Sequence, residues 1–221
     1  MAQTPKSGAT ASARRLPRVK PGPQQGRRAR QTAAAGPALD RDRLIDALKR
    51  LARAEGVEAL NMRRVAEMLG VSARLLYQHI RSKRDMIDLL TDEIIGLCDL
   101  DLVHGDWQQR IRDVHVAMRA AYLDFPGVAA IIMTRTLHAD TRPHAGAIRD
   151  GMFAIFREAG LDAEASQIAL VQFAILTLGG LVAHENTDND IDLMVPADQI
   201  GRAAALGIEM LIADIAQRVA T

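Results

Sequence analysis

The densest set of side chains able to bind another molecule lies between Asn61 and Lys83, in the segment NMRRVAEMLGVSARLLYQHIRSK. Arg63, Arg64, Arg74, Arg81 and Lys83 supply cationic donors; Tyr77, Gln78 and His79 add a phenol, an amide and an imidazole. Their spacing implies how they are held. Asn61 can cap a short helix carrying Val65, Ala66 and Leu69, and Gly70 can take the left-handed conformation that a sharp turn requires. Ser72 can cap a second short helix that ends near Ile80. Ala66 is small where two helices would cross closely. Leu76 and Ile80, four apart, face back onto the preceding helices, which leaves Arg74, Leu75, Tyr77, Gln78 and His79 pointing elsewhere. The pattern is that of a helix-turn-helix. Without the Gly70-Val71-Ser72 frame, the arginines would read as a solvated face and Tyr77 and His79 as ordinary part-exposed residues.

Other chemistries find little support. No nucleophile, base and orienting group fall into a recognisable set, and no glycine-rich phosphate loop is present; Gly179-Gly180 lies inside a helical pattern and reads as close packing. His104, His115, His138, His144 and His184 show no ligand-pair spacing on one helix face. One cysteine, Cys98, excludes an internal disulfide and a cysteine-based zinc site. The expectation is therefore a protein that is not an enzyme, with no catalytic residue, metal or cofactor, in the reducing cytoplasm. The longest apolar run, Ile168 to Ala183, contains Gln172 and Thr177 and is shorter than the 18 or so residues of a membrane span, so it is read as a buried helix.

Charge is unevenly spread. The net charge is +1, yet residues 1–39 contain eight basic residues and no acid. The remainder is acidic, with 20 basic against 27 acidic residues. Residues 1–39 are rich in Pro, Gly, Ala, Gln and Arg and lack apolar periodicity, which predicts a disordered basic tail with a polyanionic partner.

Aromatic residues are 3% of the chain while Ala, Leu, Ile, Val and Met dominate the apolar 48%, so an all-α fold is expected throughout. The periodicity predicts about nine helices. The first starts at Asp40 and carries Leu44, Leu48, Leu51 and Ala52 up to Gly56. After the helix-turn-helix pair, Ser82 and Asp85 form a capping-box-like start to a fourth helix that runs to about Val103. Trp107, Ile111, Val114, Met118 and Tyr122 define a fifth. Pro126 fits the first turn of a sixth, with Val128, Ile131 and Ile132. Ile148, Met152, Ile155 and Phe156 mark a seventh, stopped by Gly160. Asp162 can cap an eighth that reaches about Glu185. A polar loop over Asn186 to Val195 leads to a last helix opened by Pro196.

The stretch Gly70-Val71-Ser72, Leu76-Tyr77-Gln78-His79-Ile80, Arg81-Ser82-Lys83 resembles the recognition helix, and the start of the next helix, of the tetracycline-repressor (TetR) family. The match extends over about Arg41 to Leu90. The resemblance implies an N-terminal three-helix DNA-binding domain at 40–84 and a helical ligand-binding and dimerisation domain at 85–221. It implies that Tyr77 and His79 clamp phosphates, as does Lys83 at a helix N-terminus, a place that favours anions in any case. Ser72, Ala73, Arg74, Leu75 and Gln78 stand where the family contacts the groove, with Arg63 nearby. There Arg74 can bond guanine bidentately and Gln78 adenine, while Ala73 and Leu75 offer apolar contact only.

The C-terminal part resembles the tetracycline-repressor-like subgroup at Trp107-Gln108-Gln109, Arg119, Tyr122 and Phe125-Pro126. Large adaptable side chains with a few polar atoms suit a small-molecule site between helices, and Trp107, Met118, Tyr122, Met133, Met152, Phe156, Phe173 and Thr177 are its candidates; equally, helical spacing of this kind builds simple core. The eighth helix is apolar on nearly every side, and the last has two stripes, Ile200/Ala204/Leu211/Ile215 and Ala203/Leu206/Met210. A helix pair donated to a two-fold bundle would bury both, with Phe173, Leu181, Ala204, Leu211 and Ile215 at the dimer interface. The function implied is a homodimeric repressor on palindromic operator double-stranded DNA, released by a small hydrophobic effector, without a membrane partner. Alternatives are a constitutive DNA-binding dimer and a small helical enzyme or carrier. The latter leaves Tyr77, His79 and Lys83 unexplained.

Overall fold

At the N-terminal end each helix begins where a side chain accepts an otherwise unpaired backbone N–H. The computed structural model describes residues 39–98, 100–135, 142–187 and 195–220. Helix α1 is Arg41–Glu55, and the Asp40 carboxylate accepts from Arg43 N–H at 2.8 Å. Helix α2, Met62–Leu69, is capped by Asn61 through Arg64 N–H at 3.0 Å. Helix α3, Ala73–His79, is capped by Ser72 through Leu75 N–H at 3.2 Å. Helix α4, Lys83–Ile95, is capped by Ser82, and Asp85 in turn accepts from Arg81 N–H. Gly70 between α2 and α3 has φ +67°, the left-handed region that a Cβ disfavours. A 3-10 turn at Val57–Ala59, which the periodicity does not reveal, follows α1.

The remaining helices are α5 (Trp107–Leu123), α6 (Val128–Arg135), α7 (Pro143–Glu158), α8 (Ala163–Thr187) and α9 (Ala197–Val219). Asp106 caps α5 and Asp162 caps the start of α8. Among the described residues there are nine α-helices and no strand. One core runs through all of them, from Leu39 and Leu44 to Ile212 and Ile215. Besides the packing of α1 on α4, the N-terminal helices meet the larger part at the turn before α6. Val57 N–H donates to Pro126 O at 3.0 Å, Val57 Cγ1 lies against Gly127, and Arg53 sits 4.5 Å over the Phe125 ring.

Several boundaries differ from the sequence expectation. Helix α4 ends at Ile95, not near Val103, and Gly96 after it lies against the imidazole of His144, which leaves no room for a Cβ. Pro126 lies in the turn before α6, where its carbonyl serves Val57, and not in the first helical turn. Leu39, assigned to the tail, is buried against the core. The rest of the expected disordered tail, and most of the expected loop over 186–195, lie outside the described residues.

The longer C-terminal helices form the most extensive pair, α8 with α9. A Cβ on Gly180 would meet Ala204 Cβ at 2.7 Å, so the backbones approach closely there; Gly179 has no such neighbour. Helix α8 extends beyond the apolar run at both ends. Among the described residues it is the one helix long and apolar enough to cross a membrane, and only 33% of that stretch is buried in the protomer.

The turn at Gly70 yields a stability test. Gly70→Ala meets no steric obstacle but must hold a positive φ, so chemical denaturation is expected to show a loss of about 1 kcal/mol. Gly70→Asn should lose distinctly less, because asparagine tolerates this conformation.

Candidate functional site

The surface built by α2, α3 and the start of α4 displays polar groups on a buried frame. Leu76 and Ile80 are buried with Val65 and Ala66 beneath them, and Ala73, Arg74, Tyr77, Gln78 and His79 are exposed. Tyr77 is 52% exposed, a high value for an aromatic ring with nothing covering it. Ser72 is exposed and its oxygen is occupied by the cap. Leu75 departs from expectation: it is half-buried against the core, since its position on the short helix tips it towards the preceding turn. Arg63 is exposed and paired with Glu67 at 2.8 Å, one turn away on α2. Lys83 stands at the start of α4, but its Nζ donates to Glu58 O at 3.1 Å, with a Glu58 carboxylate oxygen at 3.4 Å. The 3-10 turn therefore holds the lysine, a partner that sequence spacing offers no means of finding.

A second feature lies behind α4. A cavity of about 120 Å³ is lined by residues of α4, α5, α6, α7 and α8. Of the expected pocket residues, Met118, Tyr122, Met152 and Phe173 line it. The other four do not. Trp107 packs part-buried against the core, Met133 is exposed, and Phe156 is fully buried among core side chains. Thr177 is buried and bonded to His115, Oγ1 to Nδ1 at 3.0 Å. Helical spacing brought Trp107, Phe156 and Thr177 onto inward stripes that face other neighbours, whereas Met133 stays exposed. The residues that the sequence reading missed include Ile95, Ile132, Ile148, Arg142 and Arg149. No periodic signal marks the arginines, because they come from the beginning and middle of α7 and belong to no apolar stripe.

Helices α4 and α7 are tied by charge. The buried Asp92 carboxylate accepts from the N–H groups of His144 at 3.1 Å and Ala145 at 3.0 Å, and so caps α7 from α4. Arg142 returns the contact, donating to Thr91 Oγ1 at 2.5 Å and Asp88 O at 3.2 Å. Arg112 and Glu209 form a doubly hydrogen-bonded pair, 2.7 Å each, between α5 and α9.

The residues expected at a dimer interface are buried within one copy of the chain. Phe173, Leu181, Ala204, Leu211 and Ile215 all lie inside the protomer, where α8 and α9 pack on each other and on their neighbours. The apolar side chains left uncovered are Ile168, Val171 and Ile175 on α8 and Leu206 and Met210 on α9. Among the described residues no three His, Cys, Asp or Glu side chains converge as metal ligands; His138 lies outside them.

The exposed polar face of α3 on a capped, buried turn defines a helix-turn-helix protein. Residues 44–90 match the family model described as bacterial regulatory proteins, tetR family, so the chain carries a domain of that family. It is 33% identical over 125 residues to an HTH-type transcriptional regulator of Saccharopolyspora erythraea, a match that covers 56% of this chain and 52% of that one. To the tetracycline repressor protein class C of Escherichia coli it is 27% identical over 159 residues, 70% of each chain. The chain thus spans about half the length of the first of these relatives. Its fold resembles that of a TetR variant from Acinetobacter baumannii AYE, crystallised in complex with minocycline, at a TM-score of 0.68, 24% identity and coverage of 83% of this chain and 99% of that one. It also resembles BioQ crystallised with its natural double-stranded DNA operator, at a TM-score of 0.67, 20% identity and coverage of 81% and 99%.

The His115–Thr177 contact gives a pH prediction. Burial, helped by the charge of Arg119, holds the His115 pKa below the ordinary histidine value. The folded protein then binds fewer protons than the unfolded chain once pH falls below about 6.5, so His115 costs stability progressively as pH drops from there towards its folded pKa. His115→Gln should therefore show a smaller loss of melting temperature between pH 7 and pH 5 than the parent protein, measured calorimetrically.

Proposed function

We propose that this protein is a ligand-responsive transcriptional repressor that binds palindromic operator DNA as a homodimer and leaves it when a small, mainly apolar molecule enters the cavity. The observation that carries the reading is the reach of α4. Its first residue, Lys83, belongs to the polar helix-turn-helix face, and its last, Ile95, lines the cavity. Residues 40–84 then form the DNA-binding domain and 85–221 the ligand-binding and dimerisation domain. Residues 1–39 add eight positive charges that attract phosphates without regard to sequence. The operator complex of BioQ and the minocycline complex of the Acinetobacter baumannii TetR variant support DNA and a small molecule as the two partners. The place of action is the cytoplasm, and no catalytic step is involved.

In this reading Tyr77, His79 and Lys83 grip phosphates, and Arg74 and Gln78 read base edges, with Ala73 in apolar contact. Arg63 and Ser72 lie at the edge of the contact. Leu75 serves mainly as packing. Binding DNA requires Lys83 to exchange Glu58 for a phosphate. The uncovered residues Ile168, Val171, Ile175, Leu206 and Met210 make the dimer face, and a second copy supplies the cover that α8 lacks within one protomer. The two recognition helices then lie about 34–36 Å apart, in successive major grooves.

Gel shifts on the upstream region of the gene, at several salt concentrations, test the DNA assignment. Tyr77→Phe, His79→Ala and Lys83→Ala should weaken binding to all sequences alike. Arg74→Ala or Gln78→Ala should relax preference at one position per half-site, by about 1–3 kcal/mol. An altered sequence preference in Tyr77→Phe, with none in Arg74→Ala, would invert these roles. The dimer face is tested separately: Leu206→Glu with Met210→Glu should give a monomer by light scattering that melts cooperatively yet binds operator poorly. Glutamates that leave the dimer intact would place the interface elsewhere.

A further inference from the structure

The wall of the cavity is apolar for the most part, from side chains such as Met152 and Phe173, and its charged members are all of one sign. Arg142 and Arg149 line it, and no carboxylate does, although Arg149 donates to the adjacent Asp150 Oδ1 at 3.0 Å outside the lining. The third polar member is Tyr122, which is fully buried. Its hydroxyl has no hydrogen-bond partner among the described residues. Burial raises its pKa far above the ordinary phenol value, with Cys98 and Asp92 adding to the rise and Arg142 opposing it, so the group is a protonated donor within reach of the arginine's field. A buried donor without an acceptor is an expensive arrangement that native proteins rarely keep, unless something else supplies the acceptor. Asp92 is already bonded to the N-terminus of α7 through His144 and Ala145 N–H.

We propose that the cavity receives an organic monoanion of about one aromatic ring, whose carboxylate accepts from the Tyr122 hydroxyl and faces the guanidinium groups of Arg142 and Arg149. The inference rests on the effector-binding reading above and narrows it to a ligand class. The size argument is direct: a volume of about 120 Å³ is near that of an apolar cavity known to hold one benzene molecule, roughly 150 Å³. The charge argument follows from the lining, since a carboxylate in a part-buried apolar site is favourable only where cationic donors receive it. The same geometry names how the ligand is felt at the DNA side. Arg142 holds Thr91 and the backbone of Asp88 on α4, with the Asp88 carboxylate 3.8 Å away. A ligand carboxylate competes with α4 for this guanidinium. The ligand's charge, and not its bulk alone, therefore loosens α4 from α7.

Benzoate and its neutral analogue benzamide are the probes, titrated at millimolar concentration into the full-length protein and followed by ligand-observed NMR. Benzoate is expected to bind about tenfold tighter than benzamide, as charge-assisted bonds to guanidinium require. Arg142→Gln and Arg149→Gln should each remove most of the difference between the two probes, and Tyr122→Phe should weaken both. The Arg149 variant carries the test even if Arg142→Gln fails to fold. Equal affinity for the two probes, or an advantage for benzoate that survives Arg149→Gln, would overturn the proposal in favour of a neutral ligand. Failure of both probes to bind would overturn it as well. Operator binding by the same preparation is recorded in parallel by gel shift. Intact operator binding alongside either failure confines the error to the ligand class, whereas absent operator binding removes the DNA-binding reading itself.

Discussion

Much of this molecule depends on one buried carboxylate. Asp92 sits on α4 and caps α7, so two helices without sequence continuity share a single charge. The unpaired N–H groups at the start of α7 need an acceptor, and the helix dipole there favours a negative one. No side chain of the preceding residue meets that need, since Arg142 offers only donors. Arg142 instead points back to Thr91 and Asp88, closing a loop of contacts between the two helices. Truncating either partner would leave a buried charge or donor unpaired, which costs more than the contact itself contributes. The junction therefore fixes the angle between the helix that begins at Lys83 and the helix that walls the cavity.

The same economy explains how the N-terminal helices are held. Their own core is small, and its buried members include Leu48, Leu51, Val65 and Leu76. It is extended by one hydrogen bond, Val57 N–H to Pro126 O, by the contact of Val57 with Gly127, and by Arg53 over Phe125. These contacts at one turn, together with the packing of α1 on α4 and the Arg41–Glu93 ion pair, attach the N-terminal helices to the rest of the protein. Over twelve residue steps from Lys83 to Ile95 the axial rise is about 18 Å. A rotation of a few degrees at the cavity end moves the lysine end by about an ångström.

What the sequence disclosed follows from where its signals were local. Asp40, Asn61, Ser72, Ser82 and Asp162 act through backbone groups three residues away, and each helix start was legible for that reason. The exposed face of α3 was legible because Leu76 within the helix and Ile80 at its C-terminal cap are buried, which leaves Tyr77, Gln78 and His79 between them exposed. Non-local facts were hidden. The partner of Lys83 is 25 residues distant, and the imidazole that lies against Gly96 comes from α7. An apolar stripe states that it will be covered but not by what. Ala204 and Leu211 are covered by their own chain, whereas Leu206 and Met210, on the second stripe of the same helix, are not. The cavity suffered likewise, since Phe156 and Phe173 share a periodicity and differ only in having a packed neighbour or a void before them.

Burial inside and burial between copies obey the same physics, so the division of labour along α8 is informative. Its inner side, with Phe173, Leu178 and Leu181, completes the protomer core and the cavity wall. Its outer side, with Ile168, Val171 and Ile175, stays bare. One helix thus stands between the cavity and the face where a second copy would sit. Any change of cavity shape that shifts α8 must be met at that face, and association at that face must restrain α8. Such a coupling is limited by the difference in ligand affinity between the two shapes and acts equally in both directions. A cavity of about 120 Å³, well below the volume of most ligand sites, offers little contact area with which to build that difference. The larger share must then come from groups whose partners change on binding, and in this cavity those are Tyr122, which lacks a partner, and Arg142, which already has one on α4.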